Sequence, residues 1–340
     1  MKWMTDVKTF IQDEIEYRER CSTAFRKHSY GDKNIHKKYR VLCNRHSQAK
    51  FQGILSTVSL ILPNIIEARN HGYIPVIDLC MNSRPSIMLQ ERELAKRENA
   101  WEYYFTQPDR EISLKEVRQS KYVEEQMKHC INKKYYISDE RLTWDAKTQN
   151  LSLAVCQNIH LQQRIKDRVR CEKQNLLPKT DKVLGVGIRA GYRRGILTNT
   201  SLYNGHPLVD SCVDYIKRIE KRLSEWNYNY FFLEVDDRGY LEEIKKYFGN
   251  SCIYFERPRI HYFKDALKDI PYDADDEDRM VEFKDVSVRS RNEEYLIGLY
   301  LLAQCDSLYA SRGTGHNFSY LLNRGKYAHV EFIDSGNFVI

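Results

Sequence analysis

The chain has 340 residues, a net charge of +7 at pH 7 and 42% hydrophobic residues, which is enough for one large domain or two medium ones. No apolar run reaches the ~18 residues that a membrane-spanning helix needs, and the first ten residues lack the apolar stretch of a signal peptide. The nine cysteines are irregularly spaced without a CxxC pair, which favours reduced thiols over a disulfide framework or a zinc site. We therefore expect a cytoplasmic protein.

Positive charge is concentrated in residues 18–50, which carry ten Lys and Arg against two acidic residues, Glu19 and Asp32. One interpretation of residues 1–50 is a solvated basic N-terminal segment. Another is contact with an anionic membrane surface or an acidic acceptor. An RNA-associated factor is a weaker interpretation, because no nucleic-acid-binding motif accompanies the charge. No nucleic-acid partner is expected.

The first half of the chain is predicted to contain an α/β unit. Apolar residues recur at helical spacing through 53–69, Gly72 follows where a C-cap is expected, and 73–79 is predicted as a buried strand. Helical patterns follow at 112–133 and 158–175. The segment 176–181, LLPKTD, then predicts a boundary, with an N-terminal α/β domain over 51–175 and a C-terminal Rossmann-like domain over 176–340.

The second half alternates strands with helices. The predicted strands are Val183–Ile188, Tyr230–Val235, 252–255, 307–310 and 328–333. The predicted helices are 208–226, 240–248, 291–304 and 316–322. This alternation indicates a mostly parallel sheet with right-handed crossover connections.

Two of these strands end in loops that combine arginine with glycine. The strand Val183–Ile188 stops at Arg189, with Gly191 two residues later, and the strand 307–310 is followed by Ser-Arg-Gly-Thr-Gly at 311–315. Open α/β sheets bind ligands beyond the carboxyl ends of their strands. Arginine side chains and the N–H groups of a helix N-terminus attract anions, so phosphate is the first candidate ligand.

Several segments resemble a known family. The second half of the chain resembles the C-terminal half of α-1,6-fucosyltransferases and nodulation fucosyltransferases. The resemblance lies in residues 183–189, Gly205-His206-Pro207, 231–237 and 300–311. Residues 72–78 and 98–105 are similar to bacterial polysaccharide-biosynthesis proteins that share these C-terminal motifs. The resemblance covers 51–340. It implies a GT-B glycosyltransferase, with two Rossmann-like domains facing each other across a cleft and the nucleotide sugar on the C-terminal side.

The resemblance also implies roles for individual residues in an inverting transfer that needs no metal or other cofactor. The candidate catalytic residues are Arg189, which would contact the donor diphosphate, and His206. The candidate donor-binding residues are Gly187, Arg189, Arg193, Asp236, Asp237, Ser311, Arg312, Gly313, Thr314 and Gly315. Each has a structural alternative: a salt bridge for Arg189, an Asx turn or helix cap for the Asp pair, N-caps for Ser311 and Thr314, and a solvated loop for Arg193.

The chain departs from the family pattern where a general base is expected. Many relatives carry an aspartate shortly after the motif arginine, but residues 190–194 contain no carboxylate, and 196–205 lack Asp and Glu. Three explanations are open: a carboxylate of the first domain acts as the base, the transfer has strong oxocarbenium character and needs little base, or the chain is catalytically impaired.

We expect transfer of a sugar, first of all fucose from GDP-fucose, to a glycan or lipid-linked glycan acceptor in surface polysaccharide assembly. The enzyme would lie in the cytoplasm or peripherally at the inner face of the membrane. The alternative is a non-catalytic nucleotide- or glycan-binding protein with the same fold.

Overall fold

A computed structural model describes residues 24–43, 53–79, 99–127, 133–138, 140–190, 210–259 and 287–336. These residues form two compact units. The first unit holds the described residues up to Ile137 together with Asn150–Gln162, and the second holds Ser138–Gln149 and the described residues from Gln163 onward. None of the described helices combines the length and the apolar character that crossing a membrane requires.

The first unit is built on a four-stranded mixed sheet. Its strands are β1 (Phe25–His28), β2 (Lys33–Leu42), β3 (Ile74–Ile77) and β4 (Ser120–Gln126), in the order β1-β4-β2-β3. Strand β2 is parallel to β3 and β4, and β1 is antiparallel to β4. The helices are α1 (Ile54–Asn70) and the single turns α2 (Trp101–Tyr104) and α3 (Leu114–Val117). The apolar end of β2 is buried in this unit's core with Val76 and Val123.

Strands β1 and β2 correct the prediction of a separate basic segment at residues 1–50, as far as 24–43 are concerned. These residues are part of the first sheet, because Tyr39–Leu42 is a buried run that pairs with β3, and its first three residues also pair with β4. Arg40 is buried there too. Its guanidinium bonds Glu124 and lies over the rings of Phe25 and Tyr73.

The predicted helix at 112–133 is wrong in its described part. Within 112–127 only the turn α3 is helical, with the Ser113 hydroxyl accepting a hydrogen bond from the Glu116 N–H. The chain then extends into β4 at Ser120 and pairs with strands on both sides. Tertiary pairing thus overrides local helix preference, as it commonly does for short segments. Residues 128–132 lie outside the described residues.

The second unit is built on a five-stranded parallel sheet. Its strands are β5 (Val183–Ile188), β6 (Tyr230–Val235), β7 (Cys252–Tyr254), β8 (Ser307–Ser311) and β9 (Val330–Ile333), in the order β7-β6-β5-β8-β9. Helix α4 (Ala146–Asn158) contributes only its residues up to Gln149 to this unit. The helices that belong wholly to it are α5 (Gln163–Leu176), α6 (Cys212–Glu225), α7 (Arg238–Phe248), α8 (Val288–Leu302) and α9 (Thr314–Asn323). The α/β class and the parallel sheet are confirmed.

The helices around residues 146–176 have other bounds than the predicted ones. The predicted helix at 158–175 is replaced by α4, which ends at Asn158 and runs from the second unit into the first, and α5, which begins at Gln163. Helix α5 belongs to the second unit, where Arg164 and Arg168 pair with Glu293 of α8, so the boundary predicted at 175/176 lies too late.

The strand order creates a switch point beside β5. From β5 the chain continues through β6 to β7 on one side of the sheet, and then returns to β8 and β9 on the other. The crevice between the carboxyl ends of β5 and β8 is the position at which open α/β sheets bind ligands. All six residues of β5 are buried, and the missing side chains of Gly185 and Gly187 admit close neighbours on the sheet face.

Candidate functional site

Two backbone hydrogen bonds fix the chain just after β5. The N–H of Arg189 donates to the Ser311 hydroxyl oxygen at the end of β8, at 2.9 Å. The N–H of Ala190 donates to Oδ1 of Asp236, which follows β6, at 2.7 Å. The loop that carries the Arg189 side chain is therefore attached to both neighbouring strands of the sheet.

The Arg189 guanidinium lies at the beginning of helix α9. A Cβ atom at Gly313 would lie 3.3 Å from Nη1 of Arg189, so the arginine packs against the residue that precedes the helix. The N–H groups of the first helical turn have no carbonyl partner within the helix. A guanidinium beside these N–H groups creates a positive site suited to an anion.

His316, in the first turn of α9, is a buried neutral histidine that the sequence analysis did not single out. Its Nδ1 lies 2.7 Å from the Ser311 carbonyl oxygen, which can only accept, so Nδ1 carries the proton. Burial lowers the pKa of His316 to about 4, although the bond to Ser311 acts in the opposite direction. The nearby charge of Arg189 lowers it further.

The glycine at position 187 makes room for this ring. A Cβ atom there would lie 2.7 Å from Cδ2 and 2.8 Å from Nε2 of His316, closer than real contacts allow. Gly187 therefore has a packing role on the sheet face. Its contact with a donor stays a prediction.

The two aspartates after β6 have structural roles. Asp237 is buried and caps helix α7 by accepting a hydrogen bond from the Tyr240 N–H at 3.0 Å. The carboxylate of Asp236 accepts a hydrogen bond from the Ala190 N–H. The helix-cap alternative thus describes Asp237, and Asp236 lies at the switch point beside Arg189.

Two buried arginines behind this edge were missed by the sequence analysis. Arg257 is 6% exposed and donates to the carboxylate of Glu234 and to the Val235 carbonyl oxygen. Arg259 is fully buried and donates to the carbonyl oxygens of Val235, Arg257 and Phe255 at 2.6–3.1 Å. The signal was present as Arg257-Pro258-Arg259, one residue after the end of the predicted strand at 252–255.

Tyr295 of helix α8 connects these arginines with α9. Its ring centroid lies 5.5 Å from the guanidinium carbon of Arg257. A Cβ atom at Gly315 would overlap the Tyr295 hydroxyl. Burial raises the pKa of Tyr295 to about 12, against the opposing charge of Arg189. The glycine at 315 thus provides the space that Tyr295 occupies.

The structure brings most of the predicted donor-binding residues to one edge. Arg189, Asp236 and the loop 311–315 meet at the switch point, with Arg312 and Thr314 partly exposed. Arg193 and His206 lie in 191–209, outside the described residues. Among the described residues there is no group of three or more His, Cys, Asp or Glu that could hold a metal ion.

Comparison with known proteins identifies similar folds rather than similar sequences. No family model matches the chain, and no curated protein matches it. A NodZ α-1,6-fucosyltransferase co-crystallised with GDP is 14% identical with a TM-score of 0.50, over 88% of this chain and 96% of that one. Fucosyltransferase NodZ from Bradyrhizobium is 13% identical with a TM-score of 0.45, over 84% and 93%. POFUT1 in complex with GDP is 10% identical with a TM-score of 0.44, over 87% and 98%.

At these identities the likeness concerns the fold alone, and of the three structures only the GDP co-crystal reaches a TM-score of 0.50. That fold is the one that the sequence resemblance implies. The chain has a fucosyltransferase-like fold of the GT-B class.

Proposed function

We propose that the chain is a glycosyltransferase that binds the diphosphate of a nucleotide-sugar donor at the switch point of its second sheet. The observation that carries the proposal is the position of Arg189, whose backbone is bonded to Ser311 and whose guanidinium lies beside the first turn of α9. When a sugar is transferred, the leaving nucleoside diphosphate gains negative charge. A guanidinium and fixed N–H groups can stabilise that charge without a metal ion.

GDP-fucose is the first candidate donor. The similar NodZ structure was co-crystallised with GDP, which supports a guanine nucleotide in a site of this fold. We propose an inverting transfer, without metal or other cofactor, to a glycan or lipid-linked glycan of a surface polysaccharide. The proposed location is the cytoplasm or the inner face of the membrane.

A second candidate function is nucleotide binding without catalysis. The described carboxylates at the switch point already have structural partners: Asp237 caps α7, Asp236 holds the Ala190 N–H, and Glu234 accepts from Arg257. No carboxylate occurs among residues 190–194 either. This favours a protein that kept the donor site and lost the base, or one whose base comes from elsewhere in the chain.

The two candidates differ in a direct experiment. Thermal unfolding is measured with GDP-, UDP-, dTDP- and CMP-sugars, because a ligand that binds only the folded chain raises the melting temperature. Release of GDP from GDP-fucose is then followed with a panel of glycan acceptors, with and without EDTA. Turnover that resists EDTA supports the enzyme. Binding without turnover supports the second candidate, and absence of any nucleotide effect contradicts both.

A further inference from the structure

We propose that the Tyr295 hydroxyl donates a hydrogen bond to the donor diphosphate and is therefore a binding residue of this site. The inference rests on the proposed function, since it assumes that a nucleoside diphosphate binds beside Arg189. It assigns a role to a residue of helix α8, away from the two loops in which the sequence motifs lie.

The hydroxyl lies at the start of helix α9. It occupies the position that a side chain at Gly315 would take, and Gly315 is the second residue of α9. Gly313, just before the helix, is packed by the Arg189 guanidinium. The hydroxyl and the guanidinium thus approach the same helical turn, whose first N–H groups lack partners within the helix.

The Tyr295 hydroxyl makes no hydrogen bond with any other residue that the structure describes. Other tyrosine hydroxyls of the chain do form hydrogen bonds within the protein. That of Tyr228 is bonded to the Ser307 hydroxyl at 2.6 Å. Those of Tyr240 and Tyr327 donate to backbone carbonyl oxygens, of Asp210 at 3.0 Å and of Leu302 at 2.9 Å. A tyrosine whose ring is packed and whose hydroxyl has no protein partner is suited to bond a ligand.

The ring of Tyr295 is held in place from behind. The Arg257 guanidinium lies 5.5 Å from the ring centroid, and Glu234 and the Val235 carbonyl oxygen hold that guanidinium. Such a cation–π contact, away from water, restricts the ring without using its hydroxyl. The tyrosine is therefore positioned before a ligand arrives, which lowers the entropic cost of binding.

The chemistry of the surroundings determines what the hydroxyl bonds. At neutral pH it keeps its proton, since the pKa of Tyr295 is about 12, so it can donate. Of the charged groups around the hydroxyl, Arg189 has the largest effect, followed by Glu234, Arg257 and Asp236. Glu234 is paired with Arg257, and the N-terminus of α9 adds positive partial charge. An anionic oxygen is the acceptor that this arrangement favours, and a phosphate oxygen of the donor is the one that the proposed function supplies.

The test compares Tyr295→Phe with the unchanged chain and with Tyr300→Phe, a matched variant on the same helix. Calorimetry measures the affinity of each for GDP and guanosine. We expect Tyr295→Phe to bind GDP about 10- to 100-fold more weakly, because a hydrogen bond to a charged group is lost. Tyr295→Phe should bind guanosine as tightly as the unchanged chain does, and Tyr300→Phe should bind GDP as tightly as the unchanged chain does.

Equal GDP affinity of a folded Tyr295→Phe variant and the unchanged chain would overturn this inference alone. Failure of the unchanged chain to bind any nucleoside diphosphate would overturn the proposed function as well. A separate readout needs no ligand: Gly315→Ala should lower the melting temperature by collision with the hydroxyl, and Tyr295→Phe should restore part of it in the double variant. Equal melting temperatures for Gly315→Ala and the double variant would contradict the placement of the hydroxyl.

Discussion

The N–H of Arg189 donates to the hydroxyl oxygen of Ser311 at 2.9 Å, and this bond joins the carboxyl ends of β5 and β8 across the switch point. The same serine offers its carbonyl oxygen to Nδ1 of His316. One residue thus connects the arginine loop of β5 with the first turn of α9. The geometry of the anion site depends on contacts that are distant in the chain.

Replacing Arg189 with alanine should weaken nucleotide binding without unfolding the protein. A charge-assisted contact to a diphosphate is worth about 2–4 kcal/mol in a partly dry site, or about 30- to 1000-fold in affinity. Titration with GDP checks this, and Arg170→Ala on the exposed surface of α5 is the control. Unchanged GDP affinity in folded Arg189→Ala would rule out the proposed role.

Stability should fall at mildly acidic pH because His316 resists protonation in the folded chain. Burial lowers its pKa to about 4 from the ordinary value of 6.5. Between these values the unfolded chain binds one more proton than the folded chain, so the free energy of unfolding decreases as pH falls. The contribution of this group should drop by about 2 kcal/mol from pH 7 to pH 5.

Urea unfolding at both pH values measures the effect in the unchanged chain and in His316→Gln. The glutamine amide cannot titrate, so the variant should lack this part of the pH dependence. His71→Gln, at an exposed histidine, should leave the dependence as it is. An identical pH slope in His316→Gln and the unchanged chain would show that His316 is not the buried neutral group.

Replacing Glu234 with glutamine should destabilise the second unit strongly. Glu234 is 2% exposed and its carboxylate pairs with buried Arg257, so the variant leaves a buried charge without its counterion. Loss of one partner of a buried pair costs about 3–5 kcal/mol. Asp167→Asn removes the partner of Arg170 at the surface and should change the free energy of unfolding little. Equal stabilities of the two variants in urea unfolding would contradict the buried pair.

Vesicle flotation tests the proposed contact with an anionic membrane. The variant replaces four exposed basic residues of β1 and β2 with glutamine: Arg26, Lys27, Lys37 and Lys38. Arg40 is left unchanged because it is buried and paired with Glu124. Each exposed basic residue contributes about 1 kcal/mol at an anionic surface, and salt weakens it.

We expect the unchanged chain to float with anionic vesicles at low salt and the variant to stay in solution. The control replaces four exposed lysines of the second unit: Lys217, Lys221, Lys245 and Lys246. If the unchanged chain does not float even at low salt, the charge of these strands has no membrane role.

The sequence by itself determined the central strands and the two loops that end them. Strands β5 and β6 have the predicted bounds, Val183–Ile188 and Tyr230–Val235, because a buried central strand is a largely apolar run, which in β6 is interrupted only by Glu234. Arg189 and the loop 311–315 follow such runs directly, so their place at the carboxyl edge was predictable from local sequence.

Only the tertiary structure decided the rest of the site. Tyr295, Arg257 and Glu234 come from a helix, a loop and a strand, and in isolation none of the three has a sequence pattern that marks a site. Likewise, 120–126 becomes a strand, and basic 33–42 enters the sheet, only because partners are available on either side. Apolar periodicity is a local property that a short window reveals, whereas pairing of strands and burial of charge depend on residues far apart in the chain.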